Sequence, residues 1–232
     1  MSLNNYFKVL CMKVSYPMYS VVATLCYLGT LGMMLAYREF VAEGAITNGE
    51  ILFLELQDVI YISFLFIPFL LFLFVIANSG DSKIFVFLFG DMKKYFQYKM
   101  MHVGLVSAYV AVLSALCGFI VLKSAWEYQI LFVTILFLLS FQILVLFLLL
   151  KSFMNSNVLS VLIIIGLSFV EDQLNVYKNA AFYFYKVWFT PGHPIYVGDI
   201  VGHVFFLIGC ILVTSVILYV QFVNKRVIQY EK

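Results

Sequence analysis

Long apolar runs separated by short polar stretches are the main pattern along this chain. A helix that crosses a bilayer needs roughly 20 predominantly apolar residues. Runs that approach this length predict six transmembrane helices, at about residues 18–37, 56–77, 102–122, 128–150, 157–171 and 203–223. Because they take up most of the 232 residues, we expect an all-α fold with a single transmembrane domain.

Two further segments are too polar to cross a bilayer but still carry apolar side chains. The residues before Pro17 alternate aromatic and aliphatic positions with Asn, Lys and Ser, which predicts an interfacial helix at the N-terminus. Residues 173–202 combine charges with many Phe, Tyr and Trp side chains and are interrupted by Pro191 and Pro194. This mixture is typical of the membrane–water interface, so we expect re-entrant or interfacial helices before the last span.

The overall composition supports an integral membrane protein. Hydrophobic residues make up 64% of the chain and charged residues 11%, whereas a soluble domain carries about 25% charged residues. The net charge of +2 argues against a nucleic-acid partner. The four cysteines lie in or just before the predicted spans, so we interpret them as small apolar residues, not as disulfides or metal ligands.

The distribution of basic residues predicts the orientation. With six spans, ten of the 14 Lys and Arg residues lie on the side that holds both termini, and four lie on the other. The ten are Lys8, Lys13, Lys83, Lys93, Lys94, Lys99, Lys151, Lys225, Arg226 and Lys232. Because cytoplasmic loops of membrane proteins are enriched in Lys and Arg, this count predicts that both termini are cytoplasmic.

The sequence carries none of the short motifs by which membrane or soluble enzymes are recognised. It lacks H-E-x-x-H, G-x-S-x-G and G-x-x-x-x-G-K-[ST], and its three histidines are scattered along the chain. We therefore predict a non-catalytic chain with no metal site, no catalytic residues and no cofactor of its own.

Four carboxylates are the candidate functional groups within or beside the spans. Glu55 and Asp58 lie three residues apart at the outer end of the second span, which predicts that they share one helix face. Glu171 and Asp172 lie at the outer end of the fifth span. One interpretation makes them ordinary residues at helix ends. The other makes them the acidic lining of a translocation path that attracts a cationic group.

The connection between spans two and three, "GDSKIFVFLFGDMKKYFQYK" at residues 80–99, predicts a cytoplasmic amphipathic helix. On a helix, Ile84, Phe85, Leu88 and Phe89 share one face, and charged residues flank it. Such an apolar face is covered either by lipid or by a groove in a partner protein.

In its order of residue types, this connection resembles the coupling segment of permease subunits of ABC-2 type transporters, also called type V exporters. That family has an acidic residue, an apolar helix, a small-residue turn, basic residues and a lysine that opens span three. The resemblance also covers the interfacial N-terminal helix, the six spans and the broken aromatic segment before the last span. It assigns ATPase coupling to Asp81, Lys83, Ile84, Phe85, Leu88, Phe89, Gly90, Asp91, Lys93 and Lys94.

The resemblance implies a half-transporter in the bacterial cell membrane. A second copy or a paralogue would complete the pathway, and ATP and Mg²⁺ would bind a separate dimeric cytoplasmic ATPase. Small permeases of this family with short outer loops resemble exporters of bacteriocins, lantibiotics and phenol-soluble-modulin-type peptides, so the expected cargo is an amphipathic peptide and the expected role is toxin secretion or immunity. The alternatives are a binding or immunity protein that works without an ATPase, or another small transporter component.

Overall fold

The chain is almost entirely helical in the part that a computed structural model describes, namely residues 17–42, 47–56, 58, 60–78, 92–123, 126–176 and 197–230. The elements are α1 (Pro17–Ala42), α2 (Asn48–Glu55), a π-helix (Ile60–Phe66), α3 (Ile67–Asn78), α4 (Met92–Leu122), α5 (Trp126–Met154), α6 (Asn157–Val176) and α7 (Val197–Tyr230). This confirms the predicted all-α class for these residues. The predicted N-terminal interfacial helix, and residues 80–91 and 177–196 of the two predicted connecting segments, lie outside the described residues.

Four of these helices are long and apolar enough to cross a membrane: Met18–Ala42, Lys93–Leu122, Tyr128–Met154 and Val201–Phe222. Two shorter apolar helices, Ile60–Ile76 and Asn157–Glu171, lie at the positions predicted for spans two and five. The described part of the chain thus has the helices expected of a membrane protein.

The largest difference from the predicted boundaries concerns the second span. Instead of one helix over residues 56–77, the chain forms the separate helix α2, which ends at Glu55, and then the π-helix, which begins at Ile60 and continues into α3. Between them, Leu56 and Asp58 are not helical, and we call this interruption the break. A smaller difference concerns α4, which begins at Met92 and not at residue 102. Its additional turns are held by aromatic packing, since the ring of Phe96 lies 5.2 Å from that of Tyr219 on α7.

Pairs of contacts at two positions along neighbouring helices show whether the helices run parallel or antiparallel. Tyr27 of α1 contacts Phe69, and Arg38 contacts Asp58, so α1 runs antiparallel to the second segment. Thr24 contacts Tyr109 and Tyr27 contacts Ser114, so α1 runs parallel to α4.

The remaining helices continue this alternation. Gly104 lies against Phe141 and Gly118 against Gln129, so α5 runs antiparallel to α4. Two residues connect α5 to α6, and such a short connection reverses the chain direction. Contacts of Gln142 with Thr214 and of Ser152 with Gln221 make α7 parallel to α5. The six apolar helices therefore alternate in direction.

The centre of the bundle is α5. In its most apolar stretch 67% of the residues are buried, compared with 17% in α7 and 22% in α1. Its side chains pack edge-on against both parts of the second segment, with Phe132 6.2 Å from Phe53 of α2 and Phe147 6.0 Å from Phe74 of α3. The outer faces of α1 and α7 are apolar and exposed, as expected of surfaces in contact with lipid.

Helices α4 and α5 are each ended by a residue in the left-handed conformation. Lys123 and Asn155 have φ angles of 48° and 53°, and their N–H groups donate to the carbonyls of Phe119 and Lys151. A left-handed residue with this bond is a common way to end a helix. Ser156 then begins α6, since its Oγ accepts a hydrogen bond from the Leu159 N–H.

Candidate functional site

The break in the second apolar segment is organised by Asp58. Its Oδ1 accepts a hydrogen bond of 2.7 Å from the Ile60 N–H, and its carbonyl accepts one of 3.0 Å from the Ile62 N–H. A carboxylate at this position satisfies N–H groups that have no partner within the helix and is favoured by the positive end of the helix dipole. Asp58 thus begins the π-helix.

The same carboxylate joins the break to α1. Arg38 Nη2 donates to Asp58 Oδ2 in an ion pair whose side chains are 31% and 22% exposed. At this partial exposure an ion pair contributes up to about 1 kcal/mol, and it also fixes the geometry of two elements relative to each other. Asp58 therefore has two structural roles, one on each carboxylate oxygen.

The ion pair lies near one end of the bundle. Arg38 is four residues before the end of α1 at Ala42, which corresponds to about 6 Å along the helix axis. Lys123, directly after α4, and the exposed Trp126, the first residue of α5, lie at the same end. Because Trp is enriched where membranes meet water, we expect this end to lie at a membrane boundary. The predicted orientation makes it the outer one.

A cavity of about 400 Å³ lies beside the ion pair. Its lining comes from α1, α2 and the start of the π-helix, and consists of Met34, Tyr37, Arg38, Val41, Ala42, Ile51, Leu54, Asp58 and Ile60. Tyr37, Val41 and Ile60 are 69%, 58% and 59% exposed, so the cavity opens on the outer surface of the bundle and not towards its centre.

The short helix α2 forms the inner wall of this cavity and is packed closely against the hairpin of α4 and α5. A Cβ at Gly49 would lie 2.5 Å from the ring of Tyr128, and a Cβ at Gly118 would lie 2.6 Å from Leu52 Cδ2. The Asn48 side chain donates to the carbonyl of Leu122 and so satisfies the end of α4. Glycine at both positions allows α2 to enter the bundle this deeply.

Closer to the middle of the bundle than the cavity, hydroxyl groups connect the second segment to three other helices. Tyr27 Oη lies 2.9 Å from Tyr61 Oη and 2.7 Å from Ser114 Oγ, and the ring of Tyr27 stacks on Phe69. Ser63 Oγ lies 2.6 Å from Ser168 Oγ of α6. Polar groups in an apolar bundle need partners, so these hydrogen bonds specify how the π-helix sits among its neighbours.

Of the four predicted path carboxylates, the structure places Asp58 at the cavity and Glu171 in α6. Glu171 is buried, and it lies one turn beyond Ser168. The expectation that Glu55 and Asp58 share a helix face is wrong. Glu55 is the last residue of α2, and Asp58 lies in the break that follows. For Glu55 and Asp172 the structure describes the helical backbone but not the side chain.

Of the predicted coupling residues, the described part of the chain contains Lys93 and Lys94, which are exposed in the first turn of α4. The other eight, from Asp81 to Asp91, lie outside it.

Sequence reasoning missed the partners of these carboxylates. In the sequence Arg38 contributes only to the count of basic residues, although an Arg and an Asp at facing ends of antiparallel spans are natural partners. Tyr27, Tyr61 and Ser114 were not singled out either. Their signal was a polar group in the middle of an apolar run, which has to find a hydrogen bond inside the bundle.

Comparisons with known proteins add no further information on function. Neither a scan against protein-family models nor searches of the curated proteins and of the solved structures found a match. Within the described ranges, no cluster of three or more His, Cys, Asp or Glu side chains is placed to hold a metal ion.

Proposed function

We propose that this chain is the permease subunit of an ATP-driven ABC exporter and forms half of the pathway for an amphipathic peptide. The main support is the alternation of six apolar helices. In this arrangement α3 ends and α4 begins at the end of the bundle that also carries Lys93, Lys94 and Lys151. A basic, cytoplasmic end is where a coupling helix would meet an ATPase.

The proposed mechanism is alternating access driven by the partner. Closure of two ATPase subunits would push the segment that contains Ile84 and Phe85, and α3 and α4 would carry the motion into the membrane. The break at Asp58 and the π-helix are the irregular part of this segment, and π-helical stretches are frequent at functional sites, so we propose that the movement is taken up here. In this account the chain supplies surfaces and movement, and ATP and Mg²⁺ bind the partner.

Two carboxylates are the candidate charged groups along the proposed peptide pathway. Asp58 borders the cavity and Glu171 is buried in α6, both towards the same end of the bundle. We propose that Glu171 attracts the basic groups of the peptide as it leaves, and that Asp58, which is paired with Arg38, holds the neighbouring segments in position. A second permease, either a copy or a paralogue, would form the other half of the pathway.

The test is co-purification of the ATPase in mild detergent. The double variant Phe85→Asp/Leu88→Asp should lose the ATPase while still inserting in the membrane, because two charges disrupt an apolar docking face. Phe153→Asp is a matched control, since Phe153 is 62% exposed at the same end of the bundle but outside the proposed coupling segment. An ATPase that stays bound to the double variant would contradict the proposal.

A second candidate is a membrane binding or immunity protein that holds its ligand without an ATPase. The observation that favours it is the position of the cavity, which opens on the side of the bundle at Tyr37 and Val41. This candidate predicts that the wild-type chain purifies without any ATPase and still protects cells from its ligand.

A further inference from the structure

The cavity beside Arg38 and Asp58 has a combination of charge and shape that indicates its ligand. It carries one cationic and one anionic side chain, and the rest of its lining is mainly apolar. A simple cation would meet a carboxylate already neutralised by Arg38, and a simple anion would meet a guanidinium already neutralised by Asp58. A head group with both charges matches both partners at once.

Asp58 has room for an additional hydrogen-bond donor. A carboxylate offers about four lone-pair positions, and the bonds from Arg38 and the Ile60 N–H use two of them. A primary ammonium group is a suitable donor because it carries N–H groups, whereas a quaternary ammonium group has none. This favours ethanolamine over choline as the cationic part of the ligand.

Arg38 fits the anionic part. A guanidinium carries five N–H donors that point in different directions, so it is able to bind a carboxylate and a phosphate together. Its position about one turn from the end of α1 places it at the depth of lipid head groups. The anion that is abundant at that depth is the phosphate of a phospholipid.

The opening of the cavity agrees with a ligand that arrives from the bilayer. Tyr37, Val41 and Ile60 are exposed on the surface that lipid covers in a membrane-embedded bundle, and Met34, Ile51 and Leu54 form apolar walls. A volume of about 400 Å³ suits a head group and the beginning of an acyl chain. The remaining chain length would lie along the exposed face of α1.

We propose that this cavity is a binding site for phosphatidylethanolamine, with its phosphate on Arg38 and its ammonium group on Asp58. The site requires neither an ATPase nor a peptide cargo. A negative result for lipid binding would therefore leave the transport proposal unchanged, and the reverse also holds.

Native mass spectrometry of the purified full-length chain tests this site. The delipidated protein is incubated with equal amounts of phosphatidylethanolamine, phosphatidylcholine and phosphatidylglycerol that carry the same acyl chains. We expect phosphatidylethanolamine to be retained about tenfold more than either of the others, which is the effect of one charge-assisted hydrogen bond. Equal retention of the three lipids would overturn the proposal.

Two variants locate the binding. Asp58→Asn should reduce the retention of phosphatidylethanolamine about tenfold, to the level of phosphatidylcholine, because the ammonium group loses its carboxylate. Val41→Trp should also reduce it, because it fills the cavity from an exposed position and leaves the ion pair in place. Lys123→Gln removes a charge at the same end of the bundle, outside the cavity, and should leave retention unchanged.

A soluble competitor distinguishes a lipid from a free head group. Glycerophosphoethanolamine carries both charges but has no acyl chains, so at equal concentration it should fail to displace the lipid. If it displaces the lipid, or if both Asp58→Asn and Val41→Trp retain the lipid as the wild type does, the assignment of a phospholipid site is wrong.

Discussion

The second apolar segment and the hairpin of α4 and α5 both have to satisfy their backbone N–H and C=O groups inside an apolar bundle, and they do so in different ways. The hairpin uses two continuous helices of 31 and 29 residues that pack mainly through apolar side chains. The second segment is divided into α2, a π-helix and α3, and it makes side-chain hydrogen bonds or ion pairs with α1, α4 and α6, either directly or through Tyr27. A broken segment has backbone groups that a continuous helix would satisfy, so side chains such as Asp58 have to satisfy them.

The difference also predicts which contacts matter most for stability. Hydrogen bonds between helices in membranes contribute about 0.6 kcal/mol on average and up to about 1.7 kcal/mol. Overpacking of a well-filled core costs about 1–3 kcal/mol. The close packing of α2 should therefore matter more than the ion pair, and the ion pair more than single hydroxyl groups.

The largest effect is expected for Gly49→Leu. The new side chain would clash with the ring of Tyr128 and push α2 out of the bundle, at a cost of about 2–3 kcal/mol. Gly166→Leu is the matched control, because a Cβ at that helical glycine would have no contact within 4 Å beyond its own turns of helix. The free energy of unfolding in mixed micelles measures both, and equal losses would contradict the close packing of α2.

The next effect concerns the ion pair. Asp58→Asn should cost about 1–2 kcal/mol, because Arg38 loses its charged partner while the asparagine still begins the π-helix. In a double-mutant cycle with Arg38→Gln, we expect a coupling energy of about 1 kcal/mol. Additive losses within error would mean that the two residues do not interact.

A smaller effect is expected for the hydroxyl network. Tyr27→Phe keeps the stacking on Phe69 but removes the hydrogen bonds to Tyr61 and Ser114, which should cost about 1 kcal/mol. Tyr109→Phe is the control, since the hydroxyl of Tyr109 makes a longer contact of 3.3 Å with Thr24 and the residue is exposed. If both variants lose the same stability, the buried network has no special role.

The smallest effect separates the two regions most directly. Ser63→Ala in the π-helix removes the bond to Ser168 and should cost about 0.5 kcal/mol. Ser140→Ala in α5 removes a hydroxyl that is buried and makes no hydrogen bond within the described residues, so it should be neutral or slightly stabilising. Thermal shift measurements in detergent would show the difference, and the opposite order would reverse our interpretation of the two regions.

The sequence predicted the regular part of this fold well and the irregular part poorly. Apolar runs predicted the positions of the four helices that are long and apolar enough to cross a membrane, because a bilayer sets their length and composition, and two shorter apolar helices lie where spans two and five were expected. They did not predict the break, since Glu55, Gln57 and Asp58 interrupt an otherwise apolar stretch only briefly. The partner of Asp58 lies 20 residues earlier on another helix, so only the packed bundle shows it.

For the candidate coupling segment the sequence is more informative than the structure. Its amphipathic pattern from Ile84 to Phe89 is clear in the sequence, and the segment lies outside the described residues. Its role therefore stays a prediction, supported by the side of the bundle on which α3 ends and α4 begins.

The most direct test of the account is the accessibility of single cysteines placed in a background without Cys11, Cys26, Cys117 and Cys210. Thr47→Cys, Lys94→Cys, Lys123→Cys and Asn155→Cys all replace exposed residues at helix ends. In intact cells, a membrane-impermeant maleimide should label positions 47 and 123 and leave 94 and 155 unlabelled. Labelling of 47 and 94 from the same side would show that the broken segment does not cross the membrane and would contradict the six-helix alternation.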